Sequence, residues 1–428
     1  MKKTKVGFLC EFFYPDNLGS TGTIISHLAR FLHDSFNDVR LSAVTSTHLY
    51  RGVHRPLKRR ENWKGIFIRR VHTPHTKQPS TIKRLLAGIQ FSLAVFVKLV
   101  LGPRLDVVIA LTNPPVLPLV ALWLQQLRGT KVIYLIHDLY ADMSVAMGQA
   151  SPDSRAIRLS QKLQGYFLRQ SDAVVVLGRC MKEHLDTNFT LPSDKVRVIP
   201  NWGSIQHPVG REESRFRLQH GWTNKFVVLY AGNFGQFHNF DSILDAAQIL
   251  SAKRDDIVFA LVGGGAKRDE VEETARRKNL NNVQFFPFVP ASELPDLMGS
   301  CDVALVTLEP GTEGLAVPCK FYNILAAGRA TIALMGEKAE TARVIAEEKC
   351  GARVDGDDAE GLAQTLESLA NNLDSTHAMG RRARNAFERS YTLDFIGNKF
   401  HDLIGEVVGG HSLPVPLPVS SSSPPAHP

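Results

Sequence analysis

The chain has 428 residues, 44% of them hydrophobic and 21% charged, a composition that excludes wholesale disorder and supplies apolar material for two or three domain cores. Its five cysteines are scattered, with no CxxC pair and no Cys/His cluster, which excludes a disulfide scaffold and a structural metal site and indicates reduced, cytoplasmic thiols. The formal net charge is +8, and it is spread unevenly.

Positive charge is concentrated in the first half of the chain. Residues 1–200 carry 28 Lys and Arg against 13 Asp and Glu, whereas the remainder carries 22 against 29. The excess is densest over residues 51–100, where 12 basic residues accompany a single acid, Glu61. Such a field attracts a polyanion. No nucleic-acid-binding module with interleaved aromatics is visible, so the pattern favours an anionic membrane surface over nucleic acid, with a solvated basic loop as the alternative.

Strand-like runs alternate with helical patterns through the first 200 residues, which predicts a parallel sheet flanked by helices. The first strand follows a basic start with only five apolar residues before Glu11, so we expect no export signal. The predicted strands are Lys5–Cys10, Val39–Thr45, Val107–Leu111, Lys131–Ile136, Ala173–Leu177 and Val196–Ile199. The predicted helices between them include Thr23–His33, Leu85–Leu101 and Val116–Leu127.

The helix predicted over Leu85–Leu101 is the longest apolar window of the chain. Three polar residues interrupt it, and it is shorter than the about 20 apolar residues that span a bilayer. Basic residues flank it on both sides, including Lys83 and Arg104, which is typical of a helix that lies in a membrane interface. An ordinary core helix of an α/β domain fits equally well, and a single transmembrane pass is a third option.

Residues 201–222 break the alternation with Gly, Pro and charge, and they are predicted to link two domains, 1–200 and 223–408. The strands predicted after this linker are Phe226–Tyr230, Ile257–Val262, Val283–Phe286, Val303–Thr307 and Thr331–Leu334, with a helix over Phe240–Ser251. The last helix, near 392–408, is a candidate for packing back on the first domain. The Pro- and Ser-rich residues 409–428 are predicted to form a flexible tail.

Ligands of open parallel sheets bind beyond the carboxyl ends of the strands, and four loops at such positions hold candidate residues. The first, residues 14–23, contains Gly19 and Gly22, which permit close backbone approach before a helix that starts near Thr23. It lacks the GxGxxG fingerprint. The second, residues 136–140, offers His137 and Asp138 for hydrogen bonding or proton handling, although an isolated His-Asp pair is more often structural.

The third and fourth loops suit a diphosphate. In residues 230–238, two glycines flank Asn233, and one of them is Gly235. The segment is predicted to form a tight turn that a phosphate can approach. In residues 313–323, a glycine-containing loop that begins at Glu313 leads to Lys320 at the start of a helix. Backbone amides, the helix dipole and the lysine charge are all favourable for a diphosphate. The ordered series of loops favours this interpretation over a lysine that caps a surface helix.

These blocks, in this order, resemble those of the retaining, nucleotide-sugar-dependent GT-B glycosyltransferases of family 4. The resemblance covers most of residues 5–405 and is carried by YPDNLGSTGT, TNPP at 112–115, IHDLY at 136–140, VIPNW at 198–202, YAGNFGQFHNF at 230–240, VGGG at 262–265 and VPCKFYNILAAGRATIAL. Within the family, the chain looks most similar to the bacterial polysaccharide-assembly branch that includes fucosamine-type transferases.

The resemblance implies two Rossmann-like domains that face each other across a cleft, with the donor held mainly by the second. It implies that His137 contacts the transferred sugar, that Lys320 neutralises the diphosphate and that Glu313 bonds sugar hydroxyls. It also implies binding roles for residues that border the diphosphate, base and ribose, namely Gly19, Gly22, Asn233, Gly235, Phe288, Val289, Leu315, Ala316 and Asn323. The nucleotide-sugar is a co-substrate, and neither a cofactor nor a metal is expected.

Two departures from the family's pattern concern the donor site. The family usually has two glutamates eight positions apart, but Asn323 and Leu315 occupy those positions here and Glu313 stands two residues earlier. Asparagine accepts from ribose hydroxyls without charge assistance. In the third loop, many members carry an arginine that this chain replaces with Asn233, Gln236 and His238, so the cationic clamp is thinner than usual.

The sequence thus predicts sugar transfer from a nucleotide-sugar to a polyprenyl-linked or saccharide acceptor, at the cytoplasmic face of the cell membrane. Lys320 and loop amides would stabilise the departing diphosphate, and His137 would polarise the sugar. No catalytic base is expected among the residues, because retention in this family is generally assigned to front-side attack without an enzyme nucleophile. Two alternatives stay open: a nucleotide-sugar 2-epimerase on the same fold, which needs additional acid/base residues, and a non-catalytic binding subunit of a polysaccharide-assembly complex.

Overall fold

A computed structural model describes residues 3–15, 20–47, 57–72, 81–236 and 238–409. Strands and helices alternate along these residues. The strands are β1 (Thr4–Leu9), β2 (Val39–Ser46), β3 (Arg60–Trp63), β4 (Ile66–Val71), β5 (Val107–Leu111), β6 (Lys131–Ile136), β7 (Ala173–Val176), β8 (Val196–Val198), β9 (Phe226–Asn233), β10 (Ile257–Gly264), β11 (Val283–Phe286), β12 (Val303–Thr307), β13 (Ala330–Leu334) and β14 (Gly351–Val354).

Helices connect most of these strands, as crossovers between parallel strands require. They are α1 (Ser20–Ser35), α2 (Thr81–Val100), α3 (Leu117–Arg128), α4 (Tyr140–Ala146), α5 (Arg155–Gln170), α6 (Arg179–Asn188), α7 (Arg215–Gln219), α8 (Asp241–Ser251), α9 (Arg268–Arg277), α10 (Leu294–Gly299), α11 (Lys320–Ala326), α12 (Glu340–Glu348), α13 (Ala359–Asn371), α14 (Leu373–Ser390) and α15 (Leu393–Gly409). A short 3₁₀ helix, Ala291–Glu293, precedes α10.

The strands form two sheets, of order β3-β4-β2-β1-β5-β6-β7-β8 and β11-β10-β9-β12-β13-β14. Strands β4, β2, β1, β5 and β6 run parallel, and β3 joins β4 as an antiparallel hairpin. Every neighbouring pair of the second sheet is parallel. The predicted α/β class with parallel, Rossmann-like sheets is therefore confirmed.

Each sheet has one point where the winding direction reverses. In the first sheet it lies between β1 and β5, and in the second between β9 and β12. The second sheet thereby has the strand order 3-2-1-4-5-6 of a dinucleotide-binding fold. A crevice opens at the carboxyl ends of the strands that flank such a switch point, and it is the usual place for a ligand.

The central strands of each sheet lie in the middle of its hydrophobic core. Strands β5 and β12 are buried at every position, as expected for parallel strands covered by helices on both faces. In the second sheet, Val228, Phe259, Leu305 and Ile332 come from four adjacent strands and pack in one cluster with Ile243 of α8. This rigid base positions the loops that follow the strands.

The chain divides into two compact units. Unit 1 comprises Met1–Leu135, Tyr166–Val175 and Gly397–Pro428, and unit 2 comprises Ile136–Gly165 and Val176–Ile396. The boundaries drawn from composition differ from this division over residues 136–165 and 176–200, which belong to unit 2, and over residues 397–408, which belong to unit 1. Within unit 1, the ring of His401 in α15 stacks on Phe36 with centroids 3.5 Å apart, and its Nε2 lies 3.2 Å from the Asp38 carboxylate. Residues 410–428, nearly all of the predicted tail, lie outside the described residues.

Helix α2 carries two apolar faces. One face is buried through Phe91, Val95 and Leu99. The other is exposed, and Leu101, just past the end of the helix, is 82% exposed. The exposed apolar residues, named here the α2 stripe, are Leu85, Leu86, Ile89, Leu93, Val97 and Leu101. Within the described ranges, no helix combines the length and apolar character needed to cross a membrane.

Candidate active site

The turn that follows β9 is built on close backbone contacts. Gly232 pairs with Gly263 of β10, and a Cβ on Gly263 would lie 1.8 Å from the Gly232 carbonyl oxygen. Both have φ values that favour glycine, 151° and 137°. Added Cβ atoms on Gly235 and Gly265 would lie 2.8 Å from Nδ2 and 2.6 Å from Oδ1 of Asn233. The structure therefore brings Asn233 and Gly235 together in one turn, in which close packing requires glycine.

Lys320, the first residue of α11, lies against this turn. Its Nζ donates to the Tyr230 hydroxyl at 2.6 Å and lies 3.9 Å from the ring centroid. The Tyr230 hydroxyl in turn donates to the Asn233 carbonyl oxygen at 2.6 Å. Burial lowers the pKa of Lys320 to about 7. The ammonium is thus held at the switch point of the second sheet, close to its titration midpoint at neutral pH.

Other basic side chains around the turn have partners or are uncharged. Lys267 pairs with Glu309 at 2.8 Å, and Arg268 pairs with Glu272 at 2.9 Å. Burial, together with the charges of Lys320 and Lys267, holds the pKa of His238 well below its ordinary value. Over the described part of the chain, no carboxylate pairs with the Lys320 ammonium, so that group is the positive charge available to a ligand.

His137 follows β6, and its neighbours contact the fourth candidate loop. The Leu139 N–H donates to the Leu315 carbonyl at 2.9 Å, and Asp138 forms a β-bridge with Ala316. His137 is 9% exposed, and burial lowers its pKa to about 4. Among the described residues, no hydrogen bond reaches its imidazole. The structure thus places a neutral imidazole beside this loop.

Glu313 lines a cavity of about 750 Å³ within unit 2. Its Oε1 accepts a hydrogen bond from the Gly336 backbone N–H at 3.0 Å, which fixes the carboxylate at the wall. Gly314 has φ 82°, and a Cβ there would lie 3.0 Å from the Cys180 carbonyl oxygen. Further polar residues of the lining are Glu183, His184, Thr187, Asn188, Glu337, Lys338, Arg353 and Asp355. The cavity therefore offers donors and acceptors suited to a polyhydroxylated ligand.

The side chain predicted to face the ribose is engaged within the protein. Oδ1 of Asn323 accepts from the Ser204 backbone N–H at 2.7 Å and from the Ser204 hydroxyl at 3.0 Å. A ribose contact would therefore fall to the amide Nδ2 of Asn323 as a donor, in place of the predicted acceptor role. Phe288 is exposed, and a Cβ on Gly264 would lie 3.3 Å from its ring. Val289 follows it and is half-buried, so this segment borders the turn after β10.

The first candidate loop belongs to unit 1 and leads into helix α1. Helix α1 begins at Ser20, three residues before the predicted start. Gly22 lies in its first turn, and its carbonyl accepts from the Ser26 hydroxyl at 2.7 Å. Gly19 lies outside the described residues, so its predicted role stays a prediction.

Three polar residues at strand ends escaped the sequence analysis. Tyr230, the partner of Lys320, reads as an ordinary buried strand residue. Glu11 follows β1 and Asn113 follows β5, at the switch point of the first sheet. Burial raises the pKa of Glu11 to about 7, opposed by a hydrogen bond from the Asn113 side chain. The sequence did contain a signal that could have identified Glu11 as a candidate functional residue, namely a carboxylate that directly follows an apolar strand.

Two family models match the chain, one to each half. The model described as glycosyl transferases group 1 matches residues 211–386, and the glycosyl transferase 4-like domain matches residues 19–202. WbjE of Pseudomonas aeruginosa, named a probable glycosyltransferase, is 32% identical over 322 residues, which are 74% of this chain and 79% of that protein. The chain belongs to the GT-B glycosyltransferases.

Other comparisons with this glycosyltransferase support the same fold. WcaI of Escherichia coli (strain K12), named a putative colanic acid biosynthesis glycosyl transferase, is 30% identical over 59% of this chain and 63% of that protein. Sucrose-phosphate synthase from Thermosynechococcus elongatus superposes with a TM-score of 0.77 at 16% identity, over 96% of this chain and 100% of that one. WaaG, a glycosyltransferase involved in lipopolysaccharide biosynthesis, gives 0.69 at 16% identity over 95% and 100%. The predicted two-domain GT-B fold is confirmed, and the fucosamine-type branch stays a prediction.

Proposed function

We propose that this glycosyltransferase moves a sugar from a nucleoside diphosphate sugar to a lipid-linked or saccharide acceptor in cell-surface polysaccharide biosynthesis, with retention of anomeric configuration. The observation that carries the proposal is the position of the Lys320 ammonium beside Gly232 at the end of β9, hydrogen-bonded to Tyr230, at the switch point where such folds bind nucleotides. WcaI is named for colanic acid biosynthesis, and Anabaena HepE, with a TM-score of 0.67, was solved with UDP-glucose. UDP-sugars are therefore the first donors to test.

The leaving diphosphate would be stabilised at this turn. Its oxygens would approach the turn after β9 beside Gly232, where Lys320 Nζ lies 3.3 Å from the position of an added Cβ, and Lys320 would supply the charge. Because an opposite charge favours the protonated form, a bound diphosphate would raise the pKa of Lys320. A donor placed on developing charge contributes about 2.7–4 kcal/mol to catalysis. Lys320 is accordingly the main catalytic residue of the proposal.

The transferred sugar would occupy the cavity that Glu313 lines. Oε1 of Glu313 is held by Gly336, which leaves Oε2 to accept from a sugar hydroxyl. The neutral imidazole of His137 would hydrogen-bond the same sugar without adding charge. The proposal includes no enzyme nucleophile and no resident metal. Among the described residues, no group of three or more His, Cys, Asp or Glu is arranged to hold a metal ion.

We further propose that the enzyme acts in the cytoplasm, on the inner face of the cell membrane. The α2 stripe is an exposed apolar surface of the kind that marks an interaction site. Exposed Lys83 and Arg104 lie near its two ends, and basic side chains favour anionic lipids. All five cysteines are free thiols and four are buried, which suits a reducing compartment.

A donor panel tests the proposed function. Purified full-length protein is incubated with labelled UDP-sugars, including deoxy-aminosugar donors, and with polyprenyl-phosphate-linked acceptors, in the presence and absence of EDTA. We expect labelled glycolipid with retained configuration by NMR, and the same rate with EDTA. An isomerised donor without glycolipid would show a 2-epimerase instead, and donor binding without turnover would show a binding subunit. Loss of activity in EDTA that added Mg²⁺ restores would contradict the metal-independent mechanism.

A further inference from the structure

Basic side chains cluster on unit 1 where β2 and β4 meet the end of α2. Arg60 stands opposite Arg69 across the β3–β4 hairpin, and like charges in that position repel. Burial and the nearby charges of Arg60, Arg69 and Arg59 lower the pKa of Lys98 in the last turn of α2. Lys5 and Arg40, which face each other in the β1–β2 register, complete the group. The six residues, named here the basic cluster, are Lys5, Arg40, Arg59, Arg60, Arg69 and Lys98.

In the part of the chain that the structure describes, no carboxylate pairs with the basic cluster. Within the described ranges, none of its six side chains forms an ion pair. The sequence contains Glu61 as its only acid between Asp38 and Asp106, and Glu61 pairs with Arg70 at 2.7 Å. Asp106 instead accepts from the Lys5 backbone N–H at 2.8 Å. The positive charge of the cluster is therefore left to solvent or to a ligand.

Arg69 makes this arrangement unusual, because it is 8% exposed. Its Nη1 donates to the Lys98 carbonyl oxygen at 3.1 Å, whereas its Nε is buried and has no hydrogen-bond partner among the described residues. The carbonyl groups at the end of α2 do not require the whole guanidinium of Arg69, because Arg128 already donates to the Leu99 and Gly102 carbonyls at 3.0 and 2.9 Å. A buried charge without a paired anion is costly.

Arg69 opens into a small cavity. The cavity has a volume of about 110 Å³ and is lined by Lys5, Arg40 and Arg69, with the exposed ring of Phe67 at its rim. Since one water occupies about 30 Å³ of liquid, the space admits a group of several non-hydrogen atoms. Three cations around one small space match an anion with several oxygens, and guanidinium groups match phosphate in particular.

We propose that this cavity is a binding site for the phosphate of an anionic lipid headgroup. The occupant follows from position, because Lys98 and Leu101 place the cavity at the carboxyl end of the α2 stripe. A helix lying in the interface with that stripe in the acyl region holds its ends at the level of the headgroups. The lipid as the source of the phosphate rests on the membrane association proposed above, whereas the anion site itself does not.

The test compares two exposed cations, one in the cavity and one outside it. Arg40 lines the cavity and Lys83 lies at the opposite end of α2; both are exposed, so substitution should not affect folding as loss of the buried Arg69 would. Wild type, Arg40→Gln and Lys83→Gln are floated with vesicles of phosphatidylcholine alone and of equimolar phosphatidylcholine and phosphatidylglycerol. In parallel, thermal unfolding is followed with inorganic phosphate against chloride of equal ionic strength.

We expect Arg40→Gln to lose at least tenfold in affinity for the anionic vesicles and to abolish the stabilisation by phosphate. Lys83→Gln should lose about fivefold, the effect of one surface cation, and should keep the phosphate effect. Equal losses for both variants with no phosphate effect in the wild type would overturn the site. A phosphate effect lost in Arg40→Gln with unchanged vesicle binding would overturn the lipid occupant. Failure of the wild type to bind anionic vesicles would overturn membrane association and the lipid occupant, and the phosphate arm would still decide the anion site.

Discussion

At the residue scale, the protonation state of Lys320 should link the proposed nucleotide binding to pH. With a pKa of about 7, the side chain is mostly charged below neutrality and mostly neutral above it. The Tyr230 hydroxyl donates a hydrogen bond to the Asn233 carbonyl oxygen and accepts one from the Lys320 ammonium. Tyr230 thereby orients the ammonium without supplying a counter-charge, which leaves room for an anionic ligand.

We expect UDP binding to take up a proton and to weaken as pH rises. At pH 8 the uptake should approach one proton per nucleotide, and affinity should fall by up to about tenfold per pH unit above 7. Lys320→Arg should remove both effects, because a guanidinium stays charged throughout this range. Lys320→Ala should lower turnover by roughly 100-fold.

Isothermal titration calorimetry in buffers of different ionisation enthalpy measures the uptake of protons by the complex. Arg254→Lys, on a distant ion pair with Asp256, serves as the matched control and should leave the proton uptake unchanged. UDP binding with no linked proton in the wild type would show that Lys320 does not contact the diphosphate.

His137 makes stability depend on pH in a different window. Burial lowers its pKa from 6.5 to about 4, so between these values the unfolded chain binds more protons than the folded one. Stability should therefore rise with pH from 4 to 6.5 and fall as pH drops through that range. Between pH 7 and pH 5, the loss attributable to this residue should be roughly 1–2 kcal/mol.

Urea denaturation of His137→Asn at the two pH values measures this effect. The variant should lose less stability on acidification than the wild type does, whereas His207→Asn, at an exposed position, should behave as the wild type. Turnover of His137→Asn should exceed that of His137→Ala, since the amide retains a hydrogen bond worth about 1 kcal/mol. Identical pH dependence in His137→Asn and the wild type would mean that the imidazole is solvated.

At the element scale, the α2 stripe should govern vesicle binding. Leu93 and Val97 are 51% and 53% exposed, so polar replacement removes apolar surface without disturbing the buried face of the helix. Each side chain that enters an acyl region only in part should contribute about 1 kcal/mol. The double variant Leu93→Asn/Val97→Asn should then bind anionic vesicles about thirtyfold less tightly.

Liposome flotation measures that loss, with circular dichroism to show that α2 remains folded. Leu159→Asn, on exposed α5 surface in unit 2, removes an apolar group of the same kind and should bind as the wild type. If both substitutions reduced binding equally, adsorption would be non-specific and α2 would not be the contact surface.

Helix α2 shows what the periodicity of apolar residues can and cannot predict. Apolar residues continuous around a helix fit a core helix and an interfacial helix equally well, and α2 combines both: one face is packed and the other is exposed. Central strands were easier to predict, because strands buried on both sides read as uninterrupted apolar runs. The predicted bounds of the inner strands β5, β6 and β12 agree with the structure residue for residue, and so do those of the edge strand β11.

The β3–β4 hairpin escaped sequence prediction for the converse reason. It is rich in charge, and its turn depends on positive φ values at Lys64 and Gly65, 47° and 90°, which a lysine does not signal. Contacts between side chains of different loops could not be predicted from the sequence either. The pairs Lys320–Tyr230 and Asn323–Ser204 join residues about 90 and 120 apart along the chain, so the positions of the loops followed from strand ends, but the partners of the side chains did not.

At the scale of the whole molecule, the two units differ in the chemistry that they present. Unit 1 holds the α2 stripe and the basic cluster, both suited to a lipid surface. Unit 2 holds the glycine turn, Lys320 and the cavity lined by Glu313. A nucleoside diphosphate without its sugar should therefore contact unit 2, because the groups that recognise phosphate and base in the proposal all lie there.

We expect hydrogen exchange to locate UDP in unit 2. At a UDP concentration of 100 times its Kd, ligand binding stabilises the folded state by about 2.7 kcal/mol. Slowed exchange should be strongest in peptides that cover the turn after β9, the turn after β10 and helix α11. The basic cluster should exchange at the same rate with and without UDP. Lys320→Ala serves as the control and should show weaker protection in the same peptides. If UDP protected the amino-terminal part of α1 around Gly22 and left the turn after β9 unchanged, the donor site would have to be assigned to unit 1.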